Sequence, residues 1–203
     1  MQLLRRPYRA LIPTLLLACG LLAVAGAAVP AAAGTVGFGQ ELVYILPLRG
    51  TIGPGLARFV ARALGEAAAL GATQIVVPVD TLGGVIGAAL EIRDALLQAP
   101  VPVTVLVENR AWSAGVLLAL AADRLYMTPG STLGAAEPRP AEEKVISAWR
   151  AELEETARLR GRDPQVAAAM ADADITIPGL VERGKILTLG ASRAAELGFI
   201  DGV

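Results

Sequence analysis

Short β-branched runs recur along the chain about every 28 residues, at Leu42–Leu46, Gln74–Val79 and Val103–Val107, with a shorter one at Arg124–Met127. Between them lie stretches whose apolar residues repeat at helical spacing, such as Phe59, Val60, Ala63, Leu64 and Ala67 within Leu56–Leu70, and Ile86, Leu90, Ile92 and Leu96 within Val85–Leu97. Strands alternating with helices predict right-handed βα units and an α/β fold with a mainly parallel sheet flanked by helices. Val103–Val107 lacks the polar alternation of a half-exposed strand and reads as covered on both faces, ending at a polar turn, Glu108-Asn109-Arg110. Ala114–Ala122 contains no polar side chain and predicts a helix buried on nearly every side. Further on, Pro129–Gly134 reads as a loop. A helix is expected over Ala141–Arg160 with Val145, Trp149 and Leu153 on one stripe, and Asp163-Pro164 caps another. Ile186-Leu187 reads as a short strand and Ser192–Leu197 as a last helix.

At 203 residues and 54% hydrophobic, the chain suffices for one domain with a full core. It contains no histidine, which removes the usual general base, the usual zinc ligand and any Ser-His-Asp arrangement. Its one cysteine, Cys19, leaves no disulfide and no thiolate metal cluster. No metal and no cofactor is expected. Two lysines, Lys144 and Lys185, stand against sixteen arginines, and arginine does not deprotonate at useful pH. Setting aside Arg5, Arg6 and Arg9 leaves 15 basic side chains against 19 acidic ones, which disfavours a nucleic-acid partner.

Those three arginines precede an apolar run from Leu11 to about Ala33 that ends among small residues. Residues 1–34 read either as a secretory signal peptide or as an N-terminal membrane anchor, since the order fits the first and the length admits the second. Both place the folded part outside the cytoplasm, membrane-anchored or periplasmic or extracellular.

Ser113 stands where the third strand hands over to the apolar helix. A hydroxyl there sits at the carboxyl edge of the sheet, beside the free N–H groups of a helix start, where developing negative charge is favoured. A serine nucleophile needs a proton acceptor. Without histidine, a lysine can serve once burial or a helix amino terminus lowers its pKa from about 10.4 towards about 7 to 8. Lys144 falls in the first turn of its helix, where the macrodipole disfavours a cation; Glu142 and Glu143 must face elsewhere for it to act. Lys185 reads as surface. Gly83-Gly84, between the second strand and its helix, serves either close approach of a ligand or a plain tight turn. Asp80 is either an active-site acid or the anchor of its own turn, and Trp112 either packing or a substrate wall.

Taken together, Asp80-Thr81-Leu82-Gly83-Gly84, Ser113-Ala114-Gly115, Ala121-Ala122-Asp123 with Met127–Gly134, and Leu187-Thr188-Leu189 with Leu197–Asp201 resemble the NfeD family of membrane-bound serine proteases. The resemblance runs from about Glu41 to Val203. It implies a ClpP/crotonase-like fold with a serine protease domain over 41–203. It further implies Ser113 as nucleophile, Lys144 as general base and backbone N–H groups at Gly84 and Ala114 as the oxyanion hole. Gly83, Trp112 and Arg139 are candidates for the substrate groove. Leu82 stands where the family has proline, and Arg139 where relatives have an aliphatic residue. The implied activity is a Ser-Lys endopeptidase that cleaves apolar segments of membrane-associated proteins, with a stomatin-like membrane protein as partner and assembly into a homo-oligomer. Many members continue into membrane helices and a small β-barrel, so attachment here is expected through the N-terminus alone or the chain is a shorter form. Two other readings stand beside it: a catalytically silent scaffold that binds a stomatin-like partner, and a crotonase-type acyl-CoA enzyme using the same oxyanion geometry.

Overall fold

The computed structural model describes residues 41–203. The expected leader or anchor, and Cys19 within it, lie outside the described residues.

The described chain runs β1 (Val43–Ile45), β2 (Leu48–Arg49), α1 (Pro54–Ala69), β3 (Gln74–Thr81), α2 (Ile86–Leu97), β4 (Val103–Trp112), α3 (Ala114–Leu120), β5 (Arg124–Met127), β6 (Thr132–Gly134), α4 (Glu143–Leu159), α5 (Pro164–Ala169), β7 (Thr188–Gly190) and α6 (Ala191–Glu196). The sheet order is β1-β3-β4-β6-β7, with β2 on the later part of β3 and β5 on the earlier part of β4. All pairs are parallel except β6 with β7. This is the mainly parallel α/β sheet that the alternation predicts.

Burial follows chemistry. Val103, Val105 and Val107 are fully buried, as are all seven residues of α3, so the all-apolar helix is indeed covered on every side. On α1, Val60, Ala63, Leu64 and Ala67 of the expected stripe are buried, with Ala57 beside them and Phe59 half-buried; on α4 Trp149 and Leu153 are buried and Val145 is half-buried. Asp163 caps α5 by accepting from the Gln165 and Val166 N–H groups.

The structure corrects the sequence reading in three places. β4 does not end at Glu108. It continues to Trp112 through a bulge: Val79 pairs with Val107 and Thr81 with Ala111, so β3 advances two residues while β4 advances four. The polar triplet is the excursion within the strand, and two of its side chains are satisfied from other strands: Glu108 accepts from Arg49 at 2.8 Å and Asn109 donates to Asp80 at 2.9 Å. Asp80 therefore fixes the bulge and not its own turn. Second, Thr132–Gly134 is a strand inside the expected loop, pairing with Arg110–Trp112 beyond the bulge. Third, the late strand is Thr188–Gly190, antiparallel to β6.

At the amino end of β4 the fold closes on a charged knot. Asp123 accepts from the Val103 N–H at 2.8 Å and pairs with Arg160 at 2.6 Å. Arg160 and Arg162 donate to the carbonyls of Ala121 and Ala122 at the end of α3. Asp201 accepts from Arg124, Arg162 and the Leu125 N–H.

Candidate active site

The opposite, carboxyl end of β4 carries Ser113. Its backbone sits at φ 52, ψ −124, a region that side-chain-bearing residues rarely occupy and that the surroundings must enforce. They do so by two hydrogen bonds: the Ser113 N–H donates to the Gly134 carbonyl, and the Ser113 carbonyl accepts from Val116, both at 3.0 Å. The hydroxyl makes no capping bond to α3 and is half-buried. Gly115 lets α3 approach β3, since a Cβ there would stand 2.6 Å from Thr81 Cγ2.

Gly83, at φ +106, lies against the serine, where an added Cβ would be 2.5 Å from Ser113 Cβ and 2.9 Å from Oγ. The buried Thr81 hydroxyl shapes this turn by accepting from the Gly83 N–H at 3.0 Å and donating to the Gly50 carbonyl at 2.6 Å. Next along the chain, the Ile52 N–H donates to the Gly83 carbonyl and the Val85 N–H to the Ile52 carbonyl. In a parallel bridge of this kind the residue between, Gly84, turns its own N–H and carbonyl to the other side. The Ala114 N–H is the first of α3 and has no acceptor within the helix. Gly84, Ser113 and Ala114 line one cleft of about 440 Å³, together with Val85, Trp149 and Arg139.

Of the other groove candidates, Gly83 touches the serine itself. Arg139 stands at the mouth of the cleft, exposed, with its guanidinium 2.8 Å from Glu137. Trp112 does not line the cleft; its indole donates to Thr132 on β6 at 2.8 Å, and the ring packs under Arg110. Trp149 is the residue that sequence reasoning left in the core. It is buried, its indole N–H donates to the Ala136 carbonyl, and it ties α4 to the stretch that walls the cleft. A tryptophan on a helical stripe is read as packing unless the loop it holds is known, so no signal in the sequence marked it.

Lys144 falls in the first turn of α4, as expected, but the structure does not bring it to Ser113. Its side chain is 83% exposed and its amine lies 3.4 Å from Glu142. The physical reason is the one the sequence contained: Glu142, at the helix N-cap, offers the nearest carboxylate and faces the amine. Among the described residues no group of three or more His, Cys, Asp or Glu side chains converges as a metal ion would need. None of the described helices is long and apolar enough to cross a membrane.

Comparison with known proteins decides the family. The NfeD1b N-terminal domain profile matches residues 42–203. The chain belongs to the NfeD1b family. Membrane protein NfeD1b of Bacillus subtilis is 38% identical over an alignment of 169 residues that covers 80% of this chain and 39% of that protein. The chain thus spans about two fifths of the curated relative's length. Among solved structures, a lysine-to-alanine variant of the 1510-N membrane-bound stomatin-specific protease in complex with a substrate peptide superposes with TM-score 0.72, at 24% identity, over 81% of this chain and 76% of that one. The 1510-N membrane protease specific for a stomatin homolog from Pyrococcus horikoshii gives 0.65 at 24%, over 81% and 74%. ClpP1 from Listeria monocytogenes gives 0.63 at 20% identity, over 78% and 89%. At these identities the likeness establishes a shared ClpP-like fold, the one the sequence motifs imply.

Proposed function

We propose that this NfeD1b domain is a serine endopeptidase in which Ser113 is the nucleophile and Lys144 the general base. Lys144 takes the Ser113 proton as Oγ attacks the peptide carbonyl, and the N–H groups of Gly84 and Ala114 hold the resulting oxyanion. The lysine then gives its proton to the leaving amine, and water releases the acyl-enzyme by the same steps. The observation that carries this reading is Ser113 itself: a strained corner, pinned by two backbone bonds, with a glycine pressed against it and Gly84 and Ala114 lining the same cleft.

The lysine reaches the serine by inward folding of the exposed stretch 139–143. The Glu142 contact opposes this weakly, because an exposed ion pair contributes less than about 1 kcal/mol. Leu82 and Val85, 67% and 56% exposed on either side of the glycine pair, favour apolar peptide segments as substrates. The stomatin specificity of the membrane-bound 1510-N proteases extends the proposal to a stomatin-like membrane protein as target and to a domain held at the membrane; export and assembly as a homo-oligomer complete the proposal.

A second reading has one observation in its favour, the solvent position of the Lys144 amine: a silent scaffold that binds the same membrane partner without cutting it. A peptide library incubated with wild type, Ser113→Ala and Lys144→Ala separates the two. Peptidase chemistry predicts cleavage by wild type, a loss of at least about 10³-fold with Ser113→Ala, and a loss of about 10²- to 10⁴-fold with Lys144→Ala. Partner binding by folded wild type that cuts nothing would establish the scaffold.

A further inference from the structure

We propose that a second cleft, beside Arg110, is a carboxylate-reading subsite that takes an acidic side chain of the substrate away from the bond being cut. The inference deepens the peptidase reading and rests on it. The cleft has a volume of about 310 Å³ and is lined by Arg49, Gly50, Thr51, Asp80, Leu82 and Arg110.

Its charges are not equivalent. Arg49 is held by both oxygens of Glu108, at 2.8 to 3.0 Å, which neutralises it. The Asp80 carboxylate is engaged by Asn109. Arg110 has no carboxylate partner among the described residues, and its guanidinium stands 5.6 Å from the centre of the Trp112 ring. Stacking on an aromatic face fixes the direction of a guanidinium without cancelling its charge, and leaves its donor fork for a planar anion. The β4 bulge is what projects it there, in a chain whose described part is otherwise acidic on balance. Asp80, in the same lining, opposes a doubly charged phosphate more than a singly charged carboxylate, which makes the carboxylate the better match.

Position ties this cleft to the site. Leu82 lines it, while Gly84 and Val85 line the cleft at Ser113. A peptide extended along the open edge of Gly84 therefore crosses both, and sets one side chain over Arg110 away from the scissile bond.

The test uses peptide pairs that differ only by Asp or Asn, scanned along the positions flanking the cut. Binding is read by fluorescence anisotropy on Ser113→Ala protein and kcat/KM on wild type. One position is expected to favour Asp about fivefold at low salt, with the preference shrinking as salt rises. Arg110→Ala should abolish the preference, Arg110→Lys keep part of it, and Arg110→Glu reverse it. Asp and Asn peptides indistinguishable at every position, a preference that survives Arg110→Ala, or no peptide binding at all would overturn the proposal. Because the anisotropy arm needs no chemistry, an acid preference without cleavage would instead count against the peptidase reading alone.

Discussion

The two ends of the β4–α3 unit are built on opposite terms. At the amino end of β4, Val103, Asp123, Arg160, Arg162 and Asp201 satisfy one another, and the carbonyls of Ala121 and Ala122, just past α3, are taken by two arginines. At the carboxyl end, Ser113 sits in strain, Gly84 and Ala114 line a cleft beside it, and a lysine stands in solvent. Strained backbone persists only where its surroundings over-determine it. The closed end and the buried α3 provide that rigidity, and the open end retains the groups a reaction would use. Order is concentrated where nothing is to react.

The contrast can be broken from either side. The largest effect on stability is expected at the closed end. Asp201→Ala leaves the guanidinium of Arg162, whose side chain is only 5% exposed, without its counter-charge, and should destabilise the fold by about 3 kcal/mol in chemical denaturation. Labelling of Ser113 in the molecules that remain folded should be unchanged. A loss well under 1 kcal/mol would show that the knot is not what holds this end.

Acid probes the same knot more gently. Burial alone would raise the Asp201 carboxyl, but the Leu125 N–H, Arg124 and Arg162 together bring it below its ordinary 3.8. A depressed carboxyl contributes stability that is present above the unfolded value and lost as pH falls through the folded one. Thermal midpoints should therefore drop below about pH 4, and the drop should be smaller in Asp201→Asn. Identical acid profiles for the two proteins would contradict this.

The smallest change sharpens the open end. Ser113→Gly removes a side chain from a positive φ and should raise stability by about 1 kcal/mol while ending all reactivity. A destabilised Ser113→Gly protein would mean that the corner is not strained.

How far the sequence revealed this contrast depends on the range of the forces involved. The β-branched runs, the stripe on α1, the Asp163 cap and the position of Ser113 between strand and helix are local, and each was legible. β6 and β7 are three residues each, and only register against β4 and against one another makes them strands. The bulge at Glu108–Arg110 looks like a turn because the partners of Glu108 and Asn109, Arg49 and Asp80, lie 59 and 29 positions away. Trp149 acts through a carbonyl thirteen residues back, which periodicity cannot report. For Lys144 the sequence contained both tendencies, the helix start and the neighbouring glutamates, and in this structure Glu142 prevails.

The central claim, that Ser113 is activated by the Lys144 amine, is tested most directly by the rate at which a fluorophosphonate labels Ser113 across pH, in wild type and in Lys144→Ala. The account predicts labelling of wild type that climbs with pH through one ionisation, and a slow rate without that ionisation in Lys144→Ala. Equal rates in the two folded proteins at every pH, or no label on wild type at all, would contradict it.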